Sequence, residues 1–172
     1  MSSDFPALFT ELRLKHIQSL CRSRYGSLAA RIFRCLLVHH RLEESQISEY
    51  AVAPRKEVRR LLYTMYHANL LSLQEIPRSS DRMPQKTFYL WGVAVPSVCA
   101  HYLEQLYFSW CNLRTRIDAE TDAAKPVLDK VDTSKLITAK EKDTVERWKK
   151  GADRLELGLH QINQLIMLFQ DF

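Results

Sequence analysis

Phe5, Leu8, Phe9, Leu12, His16 and Leu20 recur at intervals of three and four along the start of the chain. This spacing predicts an amphipathic helix over residues 4–22, with Asp4 as its N-cap and Pro6 in its first turn. Tyr25-Gly26 breaks the pattern, and Ser27 can cap a second helix whose apolar stripe is Ala29, Ile32, Phe33, Leu36 and Leu37, ending near His40. A short element over residues 43–50 turns Ile47 inward, with Ala51 just beyond it. Pro54 then opens a helix over residues 54–68, where its missing N–H costs nothing. Val58, Leu61, Leu62 and Met65 form the inward face of that helix, and Asn69 is suited to its C-terminal cap.

The period then changes to two. Residues 71–76, Leu-Ser-Leu-Gln-Glu-Ile, alternate as a half-buried strand does, and residues 87–91, Thr-Phe-Tyr-Leu-Trp, are rich in strand formers. A polar loop bounded by Pro77 and Pro84 separates them. Three helices followed by a strand, a loop and a strand is the order of a winged helix, a helix-turn-helix with a β-hairpin wing.

After Pro96 the pattern becomes heptad. Leu103, Leu106, Trp110, Leu113 and Ile117 continue through Glu120, an exception, to Ala124, Val127 and Val131. Pro126 falls inside this run, which predicts a kink or a break. Val145, Trp148, Ala152, Leu155, Leu159, Ile162, Ile166 and Phe169 give a second run, preceded by a Thr138/Glu141 capping box. The simplest fold for the two runs is an antiparallel coiled-coil hairpin. Leu157, Leu165 and Leu168 lie off the seam and ask for a further packing partner. The fold class is therefore mainly α: an extended winged helix with a two-stranded wing, then a long antiparallel two-helix coiled coil. The expected divisions are an N-terminal helix over 1–25, the winged helix over 26–94 and the hairpin over 95–172.

Charge sharpens this division. The net charge is +5. Residues 1–92 carry 14 Lys/Arg against 8 Asp/Glu, and residues 93–172 carry 11 against 12. A basic first half suits either a polyanion or simple solubility. No apolar run reaches the ~18–20 residues that span a bilayer. Met1 to Thr10 lacks the basic start and apolar core of a secretory signal, so a soluble intracellular protein is expected. Cys21, Cys35, Cys99 and Cys111 have no zinc-knuckle spacing and read as buried free thiols.

Little looks catalytic. His16, His39, His40, His67, His101 and His160 show no metalloprotease spacing, and with 4 glycines the chain has no phosphate loop or dinucleotide fingerprint. The informative residues lie on the helix that Pro54 opens. With its apolar face inward, Lys56, Arg60, Tyr63 and His67 fall on the opposite face, with Arg55 and Arg59 beside them. The wing adds Arg78, Arg82 and Lys86. Such a cluster can meet phosphates, or the acids of a partner protein. No Asn or Gln on the helix face offers a bidentate base contact, so DNA contact without strong sequence choice is expected.

Particular residues here resemble a known family. They are Pro54-Arg55-Lys56-Glu57, Leu61-Leu62-Tyr63, Met65 and Asn69, then Ser72 through Pro77, Asp81, Pro84 and Thr87 through Trp91, with Ala30 through Arg34 and Leu42-Glu43-Glu44 before them. This set is similar to the last winged helix of the third-largest, winged-helix subunit of RNA polymerase III, itself related to the large subunit of initiation factor IIE. The later heptad helices match that family's C-terminal coiled coil in kind. Family members are much longer and carry several further winged helices, so the chain is expected to be a C-terminal part or a reduced form.

The resemblance implies a non-catalytic nuclear subunit with no cofactor, metal, membrane or small-molecule substrate. Its implied partners are the polymerase clamp, two smaller subunits of a peripheral initiation subcomplex, and DNA. Its implied role is to assist promoter opening for transfer RNA, 5S ribosomal RNA and other small RNAs. Two rivals remain at this level: a dimeric winged-helix repressor and a protein-only scaffold module.

Overall fold

The computed structural model describes residues 5–78, 83, 87–132 and 138–170. Its elements run α1 (Phe5–Tyr25), α2 (Ser27–His39), β1 (Arg41–Leu42), α3 (Glu44–Ala51), α4 (Arg55–His67), β2 (Ser72–Pro77), β3 (Thr87–Gly92), α5 (Val95–Asp132) and α6 (Ala139–Gln170). They form two compact units, Met1–His101 and Tyr102–Phe172. No helix among the described residues is long and apolar enough to cross a membrane.

In the first unit, α1 and α2 form a hairpin joined by Gly26 alone. Gly26 sits at φ +91°, a conformation open to glycine, and takes the capping position expected of Ser27. Ile17 and Cys21 are the buried residues of α1, whereas Phe5, Leu8 and Leu12 are exposed. The buried stripe is thus displaced from the expected one. The cause is length: α1 has 21 residues and α2 has 13, so about 12 Å of α1 runs past its partner at 1.5 Å per residue. The expected N-cap Asp4 lies outside the described residues.

α3 opens with a capping box in which the Glu43 N–H donates to Gln46 Oε1 at 3.0 Å. α4 buries Val58, Leu61, Leu62 and Met65, the four residues its periodicity selects. Fully burying each contributes about 1.5–3 kcal/mol, so the rotation of α4 about its axis is firmly fixed. Asn69 ends it at φ +56° in a Schellman geometry, the Leu70 N–H reaching the Met65 carbonyl and the Asn69 N–H that of Tyr66, each at 3.0 Å. Leu70 and Met65 are both buried behind this turn.

The sheet has three antiparallel strands in the order β1-β3-β2, one more than the two-stranded wing expected. β1 is two residues long and carries no periodic signal. It is held by tertiary context: Leu42 is buried and pairs with Trp91, which pairs on its other side with Leu73. β1 can close on β3 because Gly92 has no side chain; a Cβ there would lie 2.8 Å from the His40 carbonyl oxygen.

The second unit is an antiparallel helix pair. Lys130 faces Glu141, Glu120 faces Gly151, Leu113 faces Gly158 and Tyr102 meets Phe169 edge-on at 5.0 Å. The spacing between successive contacts is the same on both helices, so the register never slips. α5 therefore runs through Pro126 without the break that residue predicts. Every described seam position is buried or half-buried, and the exceptional Glu120 is accommodated because Gly151 stands opposite it. Thr138 and Glu141 form the expected box: the Thr138 N–H donates to Glu141 Oε2 at 2.9 Å, and the Glu141 N–H points back at Thr138 Oγ1. Off the seam, Leu157 is exposed and Leu165 and Leu168 are half-buried.

Candidate nucleic-acid interface

The core-facing stripe of α4 leaves Arg55, Lys56, Arg59, Arg60, Tyr63 and His67 exposed on its outer side. Lys56, Arg60, Tyr63 and His67 step by four, three and four, so they stand in one row. A helix of 13 residues is about 20 Å long, enough to cross a major groove of about 12 Å.

The row is not uniformly free. The Arg59 guanidinium grips Glu44 of α3, with Nη2 2.8 Å from Oε1 and Nε 2.9 Å from Oε2. Tyr63 packs edge-on against Trp91 at 5.3 Å, and Tyr66 approaches the same indole at 6.0 Å. The Tyr63 ring is thereby held against the sheet while about half of the residue stays open. His67 stands edge-on to Tyr66. Lys56 and Arg60 are exposed, and among the described residues neither has such an anchor.

Arg78, at the end of β2, lays its guanidinium 3.9 Å over the centre of the Phe88 ring. This cation–π contact holds the charge on the wing while leaving donors outward. Arg82 and Lys86 lie outside the described residues. Arg41, which the periodicity did not select, joins this region through β1, its guanidinium donating to Gln74 of β2.

A groove of about 350 Å³ runs between the start of α3, α4 and the sheet. Glu43 and Glu44 line it beside Arg55, Arg59 and Tyr63, with Tyr89 and Trp91 from β3. These two acids temper the positive potential at the N-terminal end of α4. They are adjacent in sequence to the helix start, and their reach to Arg55 and Arg59 depends on the angle between α3 and α4.

Of the four cysteines expected to be buried, Cys21 is buried, Cys35 and Cys99 are half-buried, and Cys111, on the outer side of α5, is exposed. Burial raises the thiol pKa of Cys35 and Cys99 and pushes that of Cys21 up to about 11, which keeps all three protonated. Burial likewise lowers the pKa of His16. Among the described residues no group of three or more His, Cys, Asp or Glu could hold a metal ion.

Comparison with known proteins bears on this site. Residues 17–93 match the family model of the C-terminal winged-helix domain of POLR3C. The chain is 32% identical to DNA-directed RNA polymerase III subunit RPC3 of Rattus norvegicus, over 91% of this chain and 33% of that protein. It is 31% identical to the Homo sapiens subunit over the same shares, and 36% identical to that of Dictyostelium discoideum over 70% of this chain and 18% of that protein. The chain thus spans about a third of the length of the first two relatives.

Proposed function

The chain belongs, through residues 17–93, to the family of the C-terminal winged-helix domain of POLR3C, and from that premise we propose that it works as a non-catalytic subunit of DNA-directed RNA polymerase III. In this reading it acts in the nucleus, within a peripheral subcomplex that assists promoter opening and the synthesis of transfer RNA, 5S ribosomal RNA and other small RNAs. The winged helix, residues 26–94, faces DNA or a neighbouring subunit through α4 and the wing. The helix pair of the second unit docks on other polymerase subunits. Nucleotide addition belongs to other chains of the enzyme.

The observation that carries the DNA-facing role is the exposed row on α4. Among the described residues no acid grips Lys56 or Arg60, and Tyr63 is steadied by Trp91. Phosphate contact by such residues gives affinity that falls steeply with salt and reads little sequence. Arg55 and Arg78 extend the same surface in the proposed interface, with Arg59 and His67 at its margin, and Arg82 and Lys86 join the proposed set by their position in the sequence between the two wing strands. Glu43 and Glu44 favour a second reading, in which the groove beside α4 receives a basic or polar segment of a protein partner.

Two measurements test the proposal. Tagged chain recovered from nuclear extract of its own organism should bring the RNA polymerase III subunits with it; recovery without them would overturn the assembly role. Lys56→Ala with Arg60→Ala should weaken binding to a labelled duplex and flatten its salt dependence. Unchanged binding would remove direct DNA contact by α4 and leave the protein-facing reading.

A further inference from the structure

A second cationic surface lies away from α4, along the α1–α2 hairpin. A groove of about 890 Å³ is walled by Lys15 and Arg22 from α1 and by Arg31 and Arg34 from α2. Among the described residues no acid lines it, and α2 contains none at all. Lys15 and Arg22 are seven residues apart, so they stand about 10 Å apart on one face of α1. Arg31 and Arg34 lie one turn apart on the outer side of α2, opposite its buried Ile32, Phe33 and Leu36. The one-residue connection at Gly26 brings the two walls side by side.

Lys15 has an ion pair with Glu11 on its own helix, where both side chains are well exposed. Such a pair is easily exchanged for another anion. Among the described residues, Arg22, Arg31 and Arg34 have no acidic partner. Four cations in one concavity, only Lys15 of them paired and by an exposed acid, repel one another, and a polyanion relieves that repulsion.

The lining also has an apolar end. Ala30, Cys35 and Val38 contribute to it, and Val38 is 66% exposed. Tyr50 borders it, with its ring already stacked on His39 at 4.4 Å. Aliphatic side chains can be buried at this end, beside the stacked His39–Tyr50 pair. A second copy of this chain is a weaker match for a cationic groove, since the chain as a whole carries a net charge of +5.

We propose that the α1–α2 groove docks an acidic polypeptide segment of a partner protein, one that carries aliphatic side chains among its carboxylates. The inference rests on α1, α2 and the end of α3, and does not depend on what α4 contacts.

The test uses the intact chain and a fluorescein-labelled peptide that alternates Glu-Asp pairs with Leu, followed by anisotropy. Binding should be salt-sensitive and weaker for a poly-Glu peptide without Leu. Arg31→Glu with Arg34→Glu should weaken it by about tenfold or more, the scale expected when a charged pair becomes a repulsion. Lys15→Glu with Arg22→Glu should do the same from the opposite wall, and Val38→Asp should lower the preference for the Leu-bearing peptide. All of these positions are exposed, so circular dichroism should remain unchanged. Lys56→Ala with Arg60→Ala should leave peptide binding intact. Absence of peptide binding, or binding that survives both charge reversals, would overturn the proposal. So would tighter binding of a charge-matched oligothymidylate that the same reversals abolish, which would make the groove a nucleic-acid site.

Discussion

Arg59 of α4 holds both carboxylate oxygens of Glu44 on α3, within 2.9 Å at its two closest contacts. The residue that helical position alone places on the outer basic row is thus tied into the fold. Its side chain is 65% exposed and that of Glu44 25%, so the pair contributes no more than about 1 kcal/mol to stability. Arg59→Ala should cost about that much in chemical denaturation and should change the salt slope of duplex binding less than Lys56→Ala or Arg60→Ala. Glu44→Gln should release the guanidinium and tighten duplex binding; weakened binding would show that Glu44 itself meets the ligand.

Val52 ends α3 in the left-handed region, at φ +48° and ψ +58°, although it is β-branched. Its N–H reaches the Glu49 carbonyl and the Ala53 N–H that of Ser48, both at 3.2 Å, which is the Schellman position where glycine is usual. Val52 is 81% exposed, so little packing offsets the conformational cost. Val52→Gly should stabilise the protein by about 1 kcal/mol, the left-handed penalty less the added freedom of the unfolded chain. A rise in Tm by calorimetry would show it, and a fall would mean that Val52 packs against something in the folded chain.

Gly92→Ala should act in the opposite direction. The added methyl would meet the His40 carbonyl, a backbone atom that cannot rotate away. His40 is itself at φ +63° and ψ −60°, so the bend leading into β1 has little room to adjust. A loss of about 1–3 kcal/mol is expected. Amide exchange should quicken first at Leu42 and Trp91, where β1 meets β3.

Pro126 lies inside α5 at an exposed position, in a helix whose register is the same on either side of it. Its ring removes the amide that would reach the Asp122 carbonyl. Pro126→Ala should restore that bond and stabilise the helix pair by up to about 3 kcal/mol. Increased helicity by circular dichroism with a higher Tm would agree. A lower Tm would show that the proline sets a bend the pair requires.

Glu141 carries the pH dependence of the α6 start. The Lys130 ammonium across the hairpin, then the backbone N–H and hydroxyl of Thr138, lower its pKa to about 2. A carboxylate depressed on folding contributes stability above its unfolded pKa, and that contribution is lost as pH falls through the folded value. The cap should therefore hold at neutral pH, weaken below about 4 and be gone near pH 2. A ¹³C carboxyl titration should place Glu141 well below the ordinary carboxylate range, and Lys130→Ala should move it upward.

What the sequence determined by itself is local. The spacing of Val58, Leu61, Leu62 and Met65 set which face of α4 turns inward, and so which cations turn outward. Asn69, the Thr138/Glu141 box and the heptad seam were likewise legible, because each depends on residues within a few positions along the chain or on a repeat that every turn reinforces. Tertiary structure decided the rest. The two residues of β1 have no period to read and form a strand only because β3 lies beside them. The exposed Phe5, Leu8 and Leu12 carry a helical stripe that α2 is too short to cover. The grip of Glu44 on Arg59 and the meeting of Arg22 with Arg31 across a groove depend on the angles and distances between elements. Periodicity fixes the direction of a side chain about its own axis, while only packing fixes what stands in front of it.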